Sequence, residues 1–233
     1  MVDEVNFMYI EHLSHSGFLV ENQGNYLLFD PISDFSIRKD YKSIIVFSSH
    51  SHHDHFSPKY FESYYRDEKA HFVFSKDIES NIDKSTIKNL HIMNNYEQLK
   101  IEDIKIESFG STDMGNSYFI HFFEDTLFHS GDLNWWHWKR MNEDELKIEE
   151  RDFKREISLL KDKIINYAFV PVDPRLEEHG YLAINYFIET IHPKVVIPMH
   201  SFGKYDFYKD LELHVKLGDS ALINITAENQ KIL

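Results

Sequence analysis

Four histidines and one aspartate fall within six consecutive residues, and this run limits the folding and chemistry of the chain more than any other feature. The run is His50-Ser51-His52-His53-Asp54-His55. It follows the apolar residues 44–47, which are predicted to form a buried strand. A chain that leaves a strand into a loop can direct several side chains at one point, and imidazoles and carboxylates are ligands of Zn, Fe, Ni and Mn. The run therefore predicts a metal site, with an exposed histidine tract as the alternative.

The length and the lack of cysteine indicate the number of domains and exclude cross-links and metal ligands that depend on cysteine. At 233 residues the chain is long enough to bury its own core, and one domain is predicted over residues 1–233. Without cysteine there are no disulfides and no thiolate ligands for a metal. Residues 1–4 lack the basic and then apolar pattern of a signal peptide, and no apolar run reaches the ~18 to 20 residues of a membrane-spanning helix. We expect a cytoplasmic protein that does not enter a membrane.

The charge of the chain argues against polyanionic partners. There are 25 basic and 39 acidic residues, which gives a formal net charge of −14 at pH 7. A charge of this sign opposes non-specific attraction to nucleic acid or to an anionic lipid surface. A small-molecule substrate is expected instead, and an anionic one remains compatible if a metal binds it. The sequence does not predict an oligomeric state.

Predicted strands and helices alternate along the whole chain. Strands are predicted over residues 7–10, 17–21, 26–29, 44–47, 71–74, 101–109, 118–122, 126–129, 167–172 and 195–198. Helices are predicted after Ser57-Pro58, in the charged segment that contains Leu146, Phe153, Ile157, Leu160 and Ile164, and over residues 181–191, with short helices or turns at 76–83 and 96–99. There is no repeat and no linker. One layered α/β domain is therefore the predicted fold class.

Two further polar residues follow predicted strands and extend the candidate site. Asp132 comes after the strand 126–129 and a small Ser-Gly step, and His200 comes directly after the strand 195–198. Within the run itself, His50 and His52 are two residues apart, so in an extended segment both project to one side and can reach one ion. Asp54 and His55 lie farther along the turn and can reach a second ion. Two ions about 3.5 to 4 Å apart would share a nucleophilic water.

These residues resemble the metallo-β-lactamase superfamily. Its HxHxDH motif is matched at each specified position by residues 50–55, and Asp132 and His200 resemble its metal-bridging aspartate and its last histidine ligand. Four short pieces resemble the branch that includes ascorbate-6-phosphate lactonase-like proteins: HSGFLV at 15–20, LFDP at 28–31, HSGD at 129–132 and IPMH at 197–200. The resemblance covers most of the chain.

The resemblance implies a fold and an assignment of ligands. The fold is a four-layer αββα sandwich with the metal centre at one edge between its two sheets. One ion would be bound by His50 and His52, a second ion by Asp54, His55 and His200, and Asp132 would bridge them. Two zinc ions are expected, and Fe, Mn or Ni fit the same donors.

One loop departs from the family pattern. A further histidine is usual before the strand 118–122, but residues 110–115 contain none. His121 lies inside the strand pattern, where a packed or surface position is expected. Asp113 either supplies the missing ligand or only caps the turn.

Four residues outside the ligand set are predicted to bind substrate. They are His15, Trp135, Asp173 and Arg175. His15 lies two residues before Gly17 and would line the pocket or orient a ligand, with a structural histidine bonded to a backbone carbonyl as the alternative. Packing against the long helix is the alternative for at least one of the tryptophans at 135, 136 and 138. Asp173 would fix the tautomer of a ligand histidine and Arg175 would bind an anionic substrate, with a plain salt bridge as the alternative.

The predicted function is metal-dependent hydrolysis of a small ester, lactone or phosphodiester. Paired cations would generate hydroxide near neutral pH, and Asp54 would orient it as the catalytic residue. One alternative is a di-iron redox protein on the same fold, although His52 stands where that branch places a glutamate. The other is a non-catalytic metal-binding or ligand-sensing protein, which the altered loop at Asp113 would explain.

Overall fold

The computed structural model describes residues 8–233, so residues 1–4, which bear on the predicted location, and Phe7, where the first strand was predicted to begin, lie outside the described residues. The chain divides into two compact units. The first contains the residues up to Ile92 together with Ala227–Leu233, and the second contains Met93–Thr226. A single domain over residues 1–233 stays a prediction.

Fourteen strands and three α-helices lie within residues 8–233. The strands are β1 (Tyr9–His12), β2 (Phe18–Asn22), β3 (Asn25–Phe29), β4 (Ser43–Ser48), β5 (Ala70–Ser75), β6 (Leu90–Met93), β7 (Gln98–Ile101), β8 (Ile104–Phe109), β9 (Ser117–Phe122), β10 (Asp125–His129), β11 (Tyr167–Pro171), β12 (Val195–Met199), β13 (Ala221–Leu222) and β14 (Gln230–Lys231). The α-helices are α1 (Glu143–Ser158), α2 (Leu182–Ile191) and α3 (Leu211–His214). Each predicted strand overlaps an observed one.

The first unit is built on one sheet with the strand order β14-β1-β2-β3-β4-β5-β6. Strands β14, β1, β2 and β3 are antiparallel neighbours, whereas β3, β4 and β5 are parallel. Strands β2 and β3 form a hairpin, with positive φ at Gln23 and Gly24, as a two-residue hairpin turn requires. Strand β4 is buried along its whole length, as expected in the parallel part of a sheet. Because parallel strands point the same way, Asp30 after β3 and His50 after β4 emerge at one edge of this sheet.

The second unit is built on a sheet with the strand order β13-β12-β11-β10-β9-β8-β7. Strands β7 to β10 are antiparallel neighbours and β10 to β13 are parallel. Its apolar side chains, such as Phe128 of β10 and Phe169 of β11, are fully buried. Strands β10, β11 and β12 end at the same edge, and they are followed by Asp132, Asp173 and His200, respectively.

The helix predicted after Ser57-Pro58 is wrong. The segment forms only two short 3₁₀ helices, Pro58–Tyr60 and Glu62–Tyr64, and the Ser57 side chain does not cap the first of them. Between them Phe61 leaves helical geometry with φ −133° and is fully buried, with its ring 5.9 Å from that of Phe74. Burial of this ring outweighs the local helix signals. Residues 96–99 begin as a turn and then enter β7, which pairs with β8.

The long amphipathic helix is confirmed, but it is shorter than the apolar pattern predicts. Helix α1 buries Phe153 and Ile157 and ends at Ser158, so Leu160 and Ile164 lie beyond it, and the Ile164 side chain is 76% exposed. Its first turn is fixed by a capping box, in which the side chain of Asn142 accepts the backbone N–H of Glu145 and the Glu145 carboxylate accepts the N–H of Asn142. Helix α2 matches the prediction over 181–191. Within the described residues, no helix combines the length and the apolar character that a membrane crossing requires.

We predict that Asn142→Ala lowers the free energy of unfolding by about 1 kcal/mol, because two N–H groups at the start of α1 lose their acceptor. Urea unfolding measures the change, and Asn142→Asp, which retains a cap acceptor, should leave stability near that of the unaltered protein. Equal stability of Asn142→Ala and Asn142→Asp would contradict this account of α1.

Candidate metal centre

The histidine run of the first unit forms a tight, anchored loop at the end of β4. The carbonyl of His52 accepts the backbone N–H groups of His55 (2.9 Å) and Phe56 (2.8 Å), so the chain reverses within the run. The backbone N–H of Ser51 donates to Oδ2 of Asp77, which follows β5, at 2.7 Å. The loop is therefore held by hydrogen bonds within its own backbone and by a hydrogen bond to the residue that follows the neighbouring strand β5.

Asp30, which follows β3, is buried against this loop and orients it. One carboxylate oxygen accepts the backbone N–H of Ser49 and the other accepts the Ser49 hydroxyl, both at 2.7 Å. Nδ1 of His55 lies 2.7 Å from Oδ2 of Asp30. An ionised carboxylate holds the proton on Nδ1, which leaves Nε2 of His55 as a metal-ligating atom. The sequence pattern alone did not reveal this role of Asp30, although a charged residue directly after a buried strand was a signal for it.

Three side chains of the first unit form a group that can bind one ion. His15, Asp54 and His55 each offer a ligand atom, and these atoms lie within 4.8 Å of one another. Nε2 of His15 is 3.6 Å from Oδ2 of Asp54, and the rings of His15 and His55 are 5.2 Å apart. The sequence predicts His15 as a pocket residue or as one that orients a ligand. The structure places it beside the candidate ligands Asp54 and His55, and its own ring can serve as a third ligand.

His50 and His52 form a second pair in the same loop. Nε2 of His50 lies 3.0 Å from Nδ1 of His52, and their rings are 4.6 Å apart at 82°. The two rings thus reach the same point, as their spacing predicts. His50 is fully buried, whereas His52 is exposed. His53 is also exposed and belongs to neither candidate group within the described residues.

Three polar residues of the second unit meet at the ends of β10, β11 and β12. Nε2 of His200 lies 3.1 Å from Oδ1 of Asp132, and Nδ1 of His200 lies 3.2 Å from Oδ2 of Asp173. All three side chains are buried, and His200 has a positive φ of 70°. One nitrogen of the ring is thus held by a buried carboxylate while the other faces the aspartate that is a candidate ligand, as is common for metal-binding histidines.

Asp173 also pairs with Arg175. Nε and a terminal nitrogen of the Arg175 guanidinium lie 3.0 and 2.6 Å from the two carboxylate oxygens, and the backbone N–H of Arg175 donates to Oδ1 at 2.8 Å. Burial raises the pKa of Asp173, but its bonds to His200 and Arg175 outweigh burial and hold the pKa below its ordinary value. Because the carboxylate is fully buried between Arg175 and His200, Asp173 is placed to position His200, the role in fixing a histidine tautomer that the sequence suggests for it.

The loop that lacks the family histidine is pinned beside Asp132. Oγ1 of Thr112 donates to the carbonyl of Asn134 at 2.6 Å and accepts the N–H of Asn134 at 2.9 Å. Asp113 follows Thr112, and one of its carboxylate oxygens lies within 4.8 Å of a carboxylate oxygen of Asp132. Two carboxylates this close repel each other unless a cation or a proton lies between them. His121 is exposed on β9, as predicted.

The tryptophans divide between packing and the site. Trp135, predicted to bind substrate, has its ring 6.0 Å from both Phe153 of α1 and Tyr186 of α2, so it packs against the helices, which is the alternative that the sequence left open. Its neighbour Trp136 lies edge-on to His200, with the ring centres 5.9 Å apart. The sequence pattern does not show which of these two neighbouring rings faces the helices.

The chemistry and spacing of these donors fit divalent transition metals. Two atoms that each lie about 2.1 Å from one tetrahedral zinc ion are about 3.4 Å apart. The pairs His50–His52, His15–Asp54 and His200–Asp132 are separated by 3.0, 3.6 and 3.1 Å, close to that value. Imidazole and carboxylate donors without sulfur suit Zn, Mn, Fe and Ni alike.

Comparisons with solved structures agree with the fold. Igni18, a metallo hydrolase from the hyperthermophilic archaeon Ignicoccus hospitalis, superposes with a TM-score of 0.66 at 18% identity, over 97% of this chain and 98% of that one. YhfI, a metallo-β-lactamase fold protein from Bacillus subtilis, has a TM-score of 0.64 at 14% identity, over 97% and 99% of the two chains. The diiron β-hydroxylase CmlA from Streptomyces venezuelae has a TM-score of 0.60 at 10% identity, over 84% of this chain and 45% of CmlA, so this chain spans less than half of that enzyme.

These likenesses confirm the predicted α/β fold class: the chain has two mixed β-sheets with helices and the metallo-β-lactamase fold. No curated protein matches the sequence. The model of the family described as "Beta-lactamase superfamily domain" matches residues 9–139, which is more than half of the 233 residues. The chain therefore belongs to the β-lactamase superfamily.

Proposed function

We propose that this protein is a metal-dependent hydrolase that acts on a small ester, lactone or phosphodiester. One observation carries the proposal: His15, Asp54 and His55 bring three ligand atoms within 4.8 Å of one another, with Asp30 fixing the orientation of His55. A histidine tract without a binding role would not require a buried carboxylate bonded to one of its rings. The family membership and the metallo hydrolase among the structural neighbours support the same activity.

The proposed centre would hold two ions. By the resemblance to the superfamily, His50 and His52 serve one ion, while Asp54, His55 and His200 serve the other. Asp132 would be shared by the two ions, and Asp113 would replace the histidine that the loop lacks. His15 would be an additional ligand beside Asp54. The spacing of the donor pairs within each unit supports this assignment.

Each residue then has a defined task. When bound, two divalent cations lower the pKa of a coordinated water and stabilise negative charge that develops on the substrate. Asp54 orients the attacking oxygen and accepts its proton. Asp30 and Asp173 hold His55 and His200 in the tautomers that ligate. Arg175 offers a cation next to His200 for an anionic part of the substrate.

Finer features belong to the same proposal. Two zinc ions are the proposed cofactors, because nitrogen and oxygen donors suit zinc hydrolysis, with Fe, Mn or Ni as substitutes. The pieces at 15–20, 28–31, 129–132 and 197–200 support a place in the ascorbate-6-phosphate lactonase-like branch. The lack of cysteine supports a cytoplasmic location, and the net charge of −14 supports a small-molecule substrate rather than nucleic acid or a membrane surface.

A di-iron redox protein is the second candidate, because the diiron β-hydroxylase CmlA shares the fold. His52 argues against it, since the di-iron branch places a glutamate there. Iron absorption bands together with oxygen consumption would favour this candidate. Two bound ions without turnover of any ester, lactone or phosphodiester would instead favour a metal-binding sensor.

We predict that treatment with a chelator abolishes hydrolysis of ester, lactone or phosphodiester substrates, and that adding back Zn, Mn, Fe or Ni singly restores it and identifies the working metal. Hydrolysis rates and metal content are measured on the same samples, and circular dichroism checks that the chelated protein remains folded. Full activity in metal-free, folded protein would exclude the proposed mechanism.

We predict that Asp30→Asn weakens metal binding about 10- to 100-fold, because the amide cannot serve as an ionised acceptor for His55. Metal affinity is measured by competition with a chromophoric chelator. Asp34→Asn is the matched control, since Asp34 is exposed in the same loop region. If both variants bind metal as the unaltered protein does, the orienting role of Asp30 is wrong.

We predict that Asp113→Ala lowers the number of ions bound per chain from two towards one, because one of the two proposed ions then loses a carboxylate ligand from this loop. Elemental analysis of the purified variant gives the stoichiometry. Asp103→Ala, an exposed aspartate of the same unit, should bind as many ions as the unaltered chain. An unchanged ion count in Asp113→Ala would leave Asp113 as a turn residue only.

A further inference from the structure

A small cavity of about 170 Å³ in the second unit is lined by three cationic side chains, Lys139, Arg140 and Arg175, together with Trp138 and Glu177. We propose that this cavity, the arginine pocket, binds a phosphate or carboxylate group of the substrate. The inference rests on the proposed function for the identity of the substrate, but not for the binding of the anion itself.

The charge of the arginine pocket is opposite to that of the chain. Three cations and one carboxylate line it, although the whole chain carries a formal net charge of −14. Lys139 is already paired with Glu177 and Glu178. Arg140 forms no salt bridge within residues 8–233. Its guanidinium is the positive charge of the pocket left for a ligand, and guanidinium forks bind carboxylate and phosphate oxygens with two parallel hydrogen bonds.

Aromatic rings hold the two arginines in place. The guanidinium carbons of Arg140 and Arg175 each lie 5.3 Å from the centre of the Trp138 ring. Trp138 itself stacks on Trp136, at 5.7 Å between ring centres and 6° between planes. Arg175 also lies 3.9 Å from the centre of the Phe202 ring. Cation–π contacts of this kind reduce the side-chain entropy that an arginine loses when it binds an anion.

The arginine pocket adjoins the proposed reaction site through one side chain. Arg175 lines the pocket and also bonds to Asp173, which contacts the ring of His200. An anion in the pocket would therefore share Arg175 with Asp173, the carboxylate that contacts the proposed metal ligand His200. A volume of about 170 Å³ holds a phosphate or a carboxylate, whereas pockets for whole drug-sized ligands measure about 300 to 1,000 Å³. The substrate would carry its anionic group at some distance from the bond that is cut.

The backbone at Glu177 supports a binding role for this wall of the pocket. Glu177 has φ 53° and ψ −127°, a region that residues other than glycine rarely adopt. Such conformations cluster where ligands bind. The Glu177 carboxylate pairs with Lys139, so an entering oxyanion would compete with it for the same ammonium group.

The test is a titration of the full chain as purified with inorganic phosphate and, separately, with acetate, followed by tryptophan fluorescence. We expect saturable binding of at least one anion, weakened about 10-fold or more in Arg140→Gln, because a charge-assisted donor is removed. Arg151→Gln is the matched control: Arg151 is exposed on α1 and pairs with Asp152. The anion that binds more tightly identifies the group on the substrate.

The same titration in His52→Gln separates the arginine pocket from the metal centre. Unchanged anion affinity in His52→Gln with a loss in Arg140→Gln supports the pocket, whether or not any hydrolysis is found. A loss in His52→Gln with none in Arg140→Gln would place the anion on the metal and overturn the inference. The absence of saturable binding of either anion to the unaltered chain would overturn it too, while leaving the proposed hydrolase activity to its own test.

Discussion

The common direction of neighbouring parallel strands is the constraint on which the candidate site depends. Parallel strands end at one edge of a sheet, so the residues that follow them are brought together whatever their distance in sequence. In the first unit this edge carries Asp30 and the histidine run after β3 and β4. In the second unit it carries Asp132, Asp173 and His200 after β10, β11 and β12. The fold thus prepares a donor set in each unit before any metal binds.

In both donor sets a buried carboxylate contacts Nδ1 of a histidine, which leaves Nε2 of that ring to bind a metal. Oδ2 of Asp30 lies 2.7 Å from Nδ1 of His55, and Oδ2 of Asp173 lies 3.2 Å from Nδ1 of His200. A buried carboxylate is costly unless its oxygens are hydrogen-bonded. Ser49 supplies these bonds for Asp30 and Arg175 supplies them for Asp173. Each orienting carboxylate is therefore itself fixed, which limits the directions from which the ring nitrogens can bind a ligand.

The sequence predicts the strands well because they depend on local pattern. Apolar runs mark the buried strands, and a polar residue at the end of a run marks a candidate ligand, as for Asp132 and His200. The helix expected after Ser57 fails because burial of Phe61 is a tertiary effect that outweighs local capping signals. For the same reason sequence alone did not assign Asp30 to His55, or separate Trp136, which contacts His200, from Trp135, which packs on the helices.

The claim that the histidine run after β4 binds metal is tested most directly by anomalous scattering. Crystals of the protein as purified would be measured above and below the Zn, Fe, Mn and Ni absorption edges. The account predicts two ions, one bound by His50 and His52 and the other by Asp54 and His55. A histidine run without any ion, or ions bound only to other residues, would contradict it.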